Sequence, residues 1–374
     1  MNIEIKEVAN LRDLKAFVRF PFSLYKGNKY WVPPLIKGQM ETLRSDKNPA
    51  FKYCDVKLFL ACKNGNLAGR VVGIINRKYV EKWKHKYAFF GWFDVIEDED
   101  VSRALFKNLE EWAISEGMQG IHGPFGLTNF DQQGMLVDGF DELSTSASVY
   151  NFSYYGDHME KLGYSKEIDY VEYRVQTPEE IPEKVVRIAD IVRKRTKLKY
   201  VKSKSKKVLL PYSRQIFEVI NVTYSHLFGF VPLNEEQIEI YTKRYLSYIE
   251  PDYLMLVLDD QEKLIGFYLA VPTMSKAFQK ARGKLLPFGF IHILRALRNP
   301  KMLDLLLVGI IPDYQNKGIN AVFMEDLNRI AIEKGISCVE TNSEMEDNKD
   351  IRDFWKHFDA HLHKRKRVYI KSFS

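Results

Sequence analysis

The chain has 374 residues, of which 45% are hydrophobic and 28% are charged, and its formal net charge at pH 7 is +7. These are values of a globular protein, and no run of about twenty apolar residues could cross a bilayer. The length favours two domains. The positive charge suits a small anionic ligand, a nucleic acid or an acidic lipid surface equally well.

The start of the chain and its cysteines bear on the cellular compartment. The first eighteen residues alternate like a strand and then show helical spacing, with no basic and then apolar signal region. The three cysteines (Cys54, Cys62, Cys338) are an odd number without metal-ligand spacing. We therefore expect a soluble, cytoplasmic protein with reduced thiols, no membrane span and no metal.

The first half of the chain predicts alternating helices and strands. Helical spacing at 10–20 is followed by an aromatic and proline-rich loop at 22–34. Alternating apolar residues predict strands at 56–62, 67–76, 87–96, 120–123 and 169–175, and a helix at 100–116 has its apolar residues on one face. The connection at 93–100 holds five carboxylates in eight positions, which would repel a phosphate group.

A helix and a basic run join the two halves. Apolar spacing and two early prolines predict a linker helix at 177–197. Residues 194–207 then include eight Lys or Arg, with Lys202, Lys204 and Lys206 alternating as on one face of a strand. A solvated strand edge is the favoured interpretation, and contact with RNA is the alternative.

The second half repeats the order of elements. The spacing predicts helices at 209–225 and from 234, strands at 253–259 and 264–271, a basic connection at 276–298, a strand at 305–311, a helix from 319, a strand at 337–342, a helix at 349–358 and a strand at 367–373. The basic run at 363–367 is interpreted as an outer strand face. Repetition with a period near half the chain predicts two similar domains.

The stretch at 303–335 carries the most informative motif. Branched apolar residues end at Pro312 and predict a buried strand, and the apolar spacing after Ile319 predicts a helix. Gln315-Asn-Lys-Gly-Ile-Asn320 lies between them. A glycine turn into a helix leaves N–H groups unpaired and aimed at one point, which favours a phosphate or pyrophosphate. Ordinary strand–turn–helix packing is the alternative.

This motif resembles the acyl-CoA loop of GNAT-type N-acyltransferases, usually written (Gln/Arg)-x-x-Gly-x-(Gly/Ala), although Asn320 replaces its small residue. The order of elements in each half, and Met-Glu-Lys-Leu-Gly-Tyr at 159–164, also resemble a GNAT domain. The resemblance covers nearly the whole chain and extends to uncharacterised bacterial tandem-GNAT proteins labelled YghO-like. It implies an α/β (α+β) fold with two GNAT-like domains in tandem, each a mixed, mostly antiparallel sheet flanked by helices.

The same resemblance implies the domain boundaries. Residues 1–175 would form an N-terminal GNAT-like domain without a CoA site, because the acidic connection stands where its phosphate-binding turn would be. Residues 176–374, beginning with the linker helix at 177–197, would form the domain that binds acyl-CoA. One CoA per chain is expected.

The implied activity is acyl-CoA-dependent N-acyltransfer, with acetyl-CoA as donor and a small-molecule or peptide amine as acceptor. The residues implied for binding the donor are Val308, Gly309, Ile310, Gln315, Asn316, Lys317, Gly318, Ile319, Asn320 and Asn348. The candidate catalytic groups are Glu340, Glu344 and Tyr369, although Glu344 also suits a solvated acidic loop. Tyr224, Phe228 and Phe230 would wall the acceptor pocket, and core packing is equally compatible with them.

One departure keeps other functions open. In many GNAT enzymes, an Asn that corresponds to Asn348 is followed seven residues later by a tyrosine, which protonates the leaving thiolate. In this chain the residue at that position is Trp355, whose indole N–H is not a usable acid. A GNAT-derived binding module without activity is therefore one alternative. A Fem-type transferase that uses aminoacyl-tRNA is another, supported only by the basic run at 194–207. Nucleic acid is not the expected partner, and the oligomeric state is open.

Overall fold

The computed structural model describes residues 2–245 and 249–373. Strands in this part of the chain are β1 (Ile3–Glu7), β2 (Cys54–Lys63), β3 (Asn66–Asn76), β4 (Tyr87–Val95), β5 (Gly120–Gly123), β6 (Met135–Asp138), β7 (Ser165–Gln176), β8 (Lys199–Val201), β9 (Leu254–Leu258), β10 (Leu264–Pro272), β11 (Met302–Ile310), β12 (Cys338–Thr341), β13 (Glu344–Met345) and β14 (Ala360–Ser372).

The helices are α1 (Leu11–Leu24), α2 (Ile36–Thr42), α3 (Arg77–Trp83), α4 (Glu99–Ser115), α5 (Tyr154–Lys161), α6 (Glu183–Arg195), α7 (Lys206–Leu209), α8 (Ser213–Thr223), α9 (Glu235–Tyr245), α10 (Ser275–Ala281), α11 (Gly289–Arg298), α12 (Ile319–Lys334) and α13 (Lys349–Trp355). The linker helix α6 begins later than predicted, because Pro182 is its N-cap residue and the chain before it is irregular.

All fourteen strands belong to one sheet, with the order β1-β2-β3-β4-β5-β14-β7-β12-β11-β10-β9-β8; β6 pairs with β14 and β13 pairs with β7. Two neighbouring pairs are parallel, β4 with β5 and β11 with β12, and the other pairs are antiparallel. The predicted fold class, a mixed and mostly antiparallel sheet flanked by helices, is confirmed.

The last strand of each half lies against strands of the other half. β14, at the end of the chain, lies between β5 and β7 of the first half. β7, at the end of the first half, pairs on its other edge with β12 of the second half. The sheet therefore continues across residue 175, where the repetition in the sequence places the boundary between two units.

Each half packs helices against its part of the sheet. In the first half, α4 buries Val101, Leu105 and Leu109, which are spaced four residues apart and share one helix face. Gly73 of β3 allows this close approach, because a Cβ there would lie 2.4 Å from Leu109 Cδ1. In the second half, α6 and α12 pack together on the sheet around a separate apolar cluster.

The basic run at 194–207 does not form the predicted strand face. β8 ends before its three alternating lysines, and Lys206 begins α7. Lys202 is partly buried, because its Nζ donates to the carbonyl of Asp252 (2.7 Å) and lies 2.8 Å from a carboxylate oxygen of Asp326. These contacts hold the middle of the run against the segment before β9 and against α12. None of the described helices is long and apolar enough to cross a membrane.

Candidate functional site

A gap opens where β11 and β12 separate. Residues 302–305 pair in parallel with residues 338–341, and no further. Beyond this point the Asn342 N–H donates to the Leu305 carbonyl (3.0 Å), and the Asn342 side-chain amide lies 3.3 Å from the Leu306 carbonyl. The rest of β11 pairs only with β10. Beyond residue 305, one edge of β11 therefore faces the gap without a neighbouring strand.

The gap opens into a cavity of about 2450 Å³ that is lined by both halves of the chain. Twelve of the predicted site residues line it: Tyr224, Phe228, Phe230, Val308, Ile310, Gln315, Asn316, Gly318, Ile319, Asn320, Glu344 and Asn348. Four do not: Gly309, Lys317, Glu340 and Tyr369. The fold thus brings residues of the turn at 315–320, one candidate base and the three aromatic side chains to a single cavity.

The turn before α12 has two residues in the left-handed region, Asn316 with φ +58° and Gly318 with φ +81°. Gly318 is the N-cap residue, so the cap has no side chain to accept a hydrogen bond from the first turn of α12. Unpaired N–H groups and the positive end of the helix dipole therefore meet at this turn. The side chains of Lys317 and Asn320 are exposed beside it.

Packing also explains the glycine at this turn. A Cβ on Gly318 would lie 2.8 Å from Val192 Cγ2 of α6, and the positive φ is unfavourable for other residues. Gln315 closes the turn, because its Nε2 donates to the carbonyl of Ile310 at the end of β11 (2.9 Å). The shape of the turn is therefore held by this chain's own contacts, and five of its six residues line the cavity.

Tyr224 follows α8 and lies over the free edge of β11. Its hydroxyl donates to the Val308 carbonyl (2.9 Å), and burial raises its pKa to about 12. Phe230 packs edge-to-face against Tyr224, whereas Phe228 contacts Phe125 of the first half. The three aromatic side chains thus lie near the contact between the two halves, and Phe230 also belongs to a buried apolar cluster.

Glu344 is a carboxylate of the cavity wall with a strongly raised pKa. Burial raises its pKa to about 8, and the indole of Trp355 opposes this rise by donating to both carboxylate oxygens (3.1 and 2.9 Å). The strand β13 holds Glu344 opposite Val171 of β7. A carboxylate with this pKa exchanges a proton near neutral pH.

Trp355 and Asn348 have structural roles that the sequence did not indicate. The Trp355 indole is buried and holds Glu344. Asn348 is the N-cap residue of α13, and its side chain accepts from the Ile351 N–H (3.3 Å). The sequence gives no signal for this contact with Glu344, because α13 must first fold back toward β13.

Glu340 lies beneath the gap in a buried polar cluster, away from the cavity. Burial disfavours its charged form, but His363 and Lys364 outweigh this effect and hold the pKa of Glu340 below its usual range. Asp304, its partner in register on β11, is also buried, and burial raises the pKa of Asp304 to about 7. Glu340 is therefore paired within the protein and does not reach a ligand in the cavity.

The same cluster has the one set of metal-ligand types found among the described residues: Glu172, Glu340 and His363. The ammonium group of Lys364 bonds Glu340 and lies 3.6 Å from a Glu172 oxygen. This lysine already supplies the positive charge that a cation would bring. The interpretation of residues 363–367 as an outer strand face is therefore wrong for Lys364, which is buried along with Lys366.

Tyr369 lies in the core of the first half. β14 pairs it with Gly123 of β5, and its ring joins the apolar cluster that contains Tyr155 and Met159. The strand exchange causes this placement, because the end of the chain enters the other half of the sheet. Tyr369 therefore does not line the cavity, although it follows Trp355 by only fourteen residues in the sequence.

Comparisons with known proteins agree with this architecture, although no family model matches the chain. A tandem GNAT protein from the clavulanic acid biosynthesis pathway superposes with a TM-score of 0.56 at 10% identity, over 99% of this chain and 98% of that one. A GCN5-related N-acetyltransferase from Sphaerobacter thermophilus gives 0.53 at 14% identity, over 99% and 95%.

Two curated proteins match along the sequence. Protein YghO of Escherichia coli (strain K12) is 29% identical, over 98% of this chain and 95% of its own length. A bacterial ceramide synthase of Caulobacter vibrioides (strain NA1000 / CB15N) is 26% identical, over 99% and 98%. The chain thus has the tandem GNAT fold and is similar to YghO along nearly its whole length.

Proposed function

We propose that this protein is an acyl-CoA-dependent N-acyltransferase that acts between β11 and β12. The observation that carries the proposal is Glu344, whose carboxyl group with a pKa of about 8 faces the same cavity as the edge of β11 and the turn at 315–320. Amide formation needs a neutral amine and a group that takes its proton. Glu344 is placed to be the group that takes this proton.

The turn and the strand edge fit an acyl-CoA. N–H groups at the start of α12, with the exposed Lys317, would hold the pyrophosphate. Asn320 is exposed, so its side chain can point away from the phosphates. The free edge of β11 would bond the pantetheine amides in the manner of an added strand. The thioester supplies an acyl group that is already activated.

Glu344 takes the proton of the acceptor amine while the nitrogen bonds to the acyl carbon and the carbon–sulfur bond breaks. Trp355 keeps the carboxylate oriented toward the gap by its hydrogen bonds. Tyr224 fixes the Val308 carbonyl on the strand edge. Water in the cavity protonates the departing thiolate, because the Trp355 indole is not an acid and already donates to Glu344. The products are an amide and a free thiol.

Acetyl-CoA is the donor expected from the sequence, and the cavity favours a second candidate with longer chains. Its volume of about 2450 Å³ exceeds the roughly 300–1,000 Å³ of ordinary small-molecule sites. Apolar side chains of both halves line it. A ceramide is the amide of a fatty acid with a long-chain amino alcohol, and one relative is named as a ceramide synthase. Long-chain acyl-CoA and a long-chain amine therefore form the second candidate pair. A cytoplasmic location would give access to CoA esters.

Calorimetry and thiol release test the proposal. Acetyl-CoA and palmitoyl-CoA are titrated separately into the native chain, and release of free CoA is then followed with primary amines of increasing chain length. We expect one site per chain and turnover that requires the amine. Turnover that rises with both chain lengths would favour the second candidate. Binding without turnover would favour the inactive binding module, and binding of aminoacyl-tRNA but not CoA would favour the Fem-type transferase.

A further inference from the structure

The loop between α10 and α11, with the first turns of α11, exposes a group of large apolar side chains. We call this group the hairpin patch; its members are Leu285, Leu286, Phe288, Phe290 and Leu294. Leu286 is 75% exposed and Phe288 is 69% exposed. Large apolar side chains clustered in ten residues of surface indicate an interaction site.

The chain around the hairpin patch is strongly basic. Residues 273–303 include seven Lys or Arg, one His and no Asp or Glu. The seven are Lys276, Lys280, Arg282, Lys284, Arg295, Arg298 and Lys301, and all are exposed. None of the ion pairs among the described residues includes any of them. The patch is therefore an apolar surface with a border of free positive charge.

The base of the hairpin is fixed to the first half. Gln279 Nε2 donates to the carbonyls of Lys29 and Trp31 (2.9 and 3.0 Å), and the Ile36 N–H donates to the Gly283 carbonyl (2.9 Å). These contacts hold α10 against the aromatic and proline-rich loop at the start of the chain. The hairpin patch is therefore presented on a fixed support.

The hairpin patch is continuous with the cavity described above. Leu285, Leu286 and Phe290 line the cavity as well as being exposed, and Ile293 and Leu297 of α11 line it too. An apolar path thus leads from the surface to the interior between the two halves.

We propose that the hairpin patch binds the interface of an anionic lipid bilayer. The exposed Leu and Phe side chains enter the boundary between head groups and acyl chains, and the surrounding Lys and Arg bind lipid phosphates. An RNA would use the positive charge but would leave the aliphatic side chains in water, so the combination favours lipid. Binding of the hairpin patch to a bilayer does not depend on the proposed function. Transfer of a long-chain substrate from the bilayer into the cavity rests on that proposed function.

Vesicle flotation tests this inference with the full chain. Vesicles of phosphatidylcholine alone are compared with vesicles of equal parts phosphatidylcholine and phosphatidylglycerol. We expect flotation only with the anionic vesicles, weakened by added salt. The variant Leu286→Ser/Phe288→Ser should lower the partition coefficient by about tenfold or more, because both side chains are exposed apolar anchors. Leu11→Ser/Ile114→Ser, at exposed apolar positions elsewhere, is the matched control and should float like the native chain.

A charge-reversal pair tests the basic border. Arg295→Glu/Arg298→Glu should abolish flotation at low salt, whereas Arg103→Glu/Lys107→Glu, exposed on α4, should reduce it only slightly. Thermal unfolding verifies that each variant is folded. The inference is overturned if the native chain does not float, if both hairpin variants float as well as the native chain, or if the native chain binds RNA or an acidic protein but no vesicle.

Discussion

The two halves differ most where their parallel strands separate. In the first half, β4 and β5 pair only at residues 87–89 and 120–122, and Phe125 occupies the space beyond. The Phe125 N–H donates to the Phe90 carbonyl (2.8 Å), and Gly91 leaves room for the Phe125 carbonyl, which would lie 2.1 Å from a Cβ there. In the second half, the corresponding edge of β11 is open to the cavity.

The two halves also differ at the N-terminus of the helix that follows these strands, α4 in the first half and α12 in the second. Asp98 caps α4, accepting from the N–H groups of Asp100 (3.1 Å) and Val101 (3.3 Å), and it is paired with Lys63. Gly318 caps α12 and offers no side chain. One half has satisfied its helix start with its own carboxylate, whereas the other leaves the N–H groups for a ligand. The two halves thus differ in how the start of this helix is capped, and fold alone does not decide function.

The largest effect is expected at the open gap. Glu344→Gln keeps the shape of the side chain but removes the group that accepts the proton, so kcat should fall by about 10²–10⁴-fold with CoA affinity unchanged. Steady-state kinetics and calorimetry measure the two quantities. Glu346→Gln, two residues further along the chain, is the control and should retain most activity. Undiminished turnover in Glu344→Gln would place the chemistry outside this gap.

In the first half, where Phe125 fills the gap between β4 and β5, we expect a substitution to lower stability. Phe125→Ala should lower the free energy of unfolding by about 3 kcal/mol, because it removes a buried ring that contacts Phe89, His122 and Phe228. Tyr224→Phe at the open gap loses one hydrogen bond and should cost about 1 kcal/mol or less. Denaturant unfolding of both variants gives the values. Equal losses would mean that the two gaps are packed alike.

Charge substitutions at the N-termini of α12 and α4 compare the two halves directly. Asn320→Asp places a carboxylate at the first turn of α12 without changing its size, so the Kd for CoA should rise about tenfold through repulsion of the phosphates. Asn66→Asp, at the exposed start of β3 in the first half, should leave the Kd unchanged. Asp98→Asn removes the negative cap of α4 and should still give one CoA per chain. A second calorimetric site in Asp98→Asn would contradict the assignment of the first half as closed.

The smallest effect concerns the partner of Glu344. The Trp355 indole stabilises the charged carboxylate, so Trp355→Phe should raise the pKa of Glu344 further above about 8. Because the base acts when deprotonated, native activity should rise with pH up to about pH 8, and in Trp355→Phe the rise should move to higher pH by less than about one unit. Profiles of kcat/KM against pH measure this. The control variant Trp112→Phe, on α4, should have the same pH profile as the native chain. An unshifted profile in Trp355→Phe would mean that Trp355 does not position Glu344.

Glu344 also makes stability depend on pH. Its pKa in the folded chain lies above the ordinary value of 4.5, so the folded state binds more protons than the unfolded state between about pH 4.5 and 8. The contribution of this group to stability therefore decreases as the pH rises through that window. Glu344→Gln should accordingly raise the Tm more at pH 9 than at pH 5.

Local patterns were sufficient to predict most elements of the fold. The apolar spacing of α4 and α12 and the alternation along β2, β3 and β4 gave their positions, because these signals depend on neighbouring residues alone. The exchange of β7 and β14 could not be predicted. Their alternation suits either part of the sheet, and the pairing joins segments nearly 200 residues apart in sequence.

Of the candidate site, the parts that depend on neighbouring residues could likewise be predicted from the sequence. The turn around Gly318 has a local signature, and the structure places it at a cavity. Choosing Glu344 over Glu340 required the tertiary structure, because the lysine that neutralises Glu340 arrives on β14. In the sequence, the segment that carries the hairpin patch was identified only as a basic connection at 276–298, because the exposure of its apolar residues depends on how α11 packs.

The exchanged strands bear on how the chain is made. A ribosome releases the whole first half long before it synthesises residues 360–372, so β5 and β7 lack the strand that separates them in the finished protein. Their unpaired edges are open to pairing with other chains throughout that interval. A stop codon that removed only the last fifteen residues would therefore damage the half of the protein that was translated first.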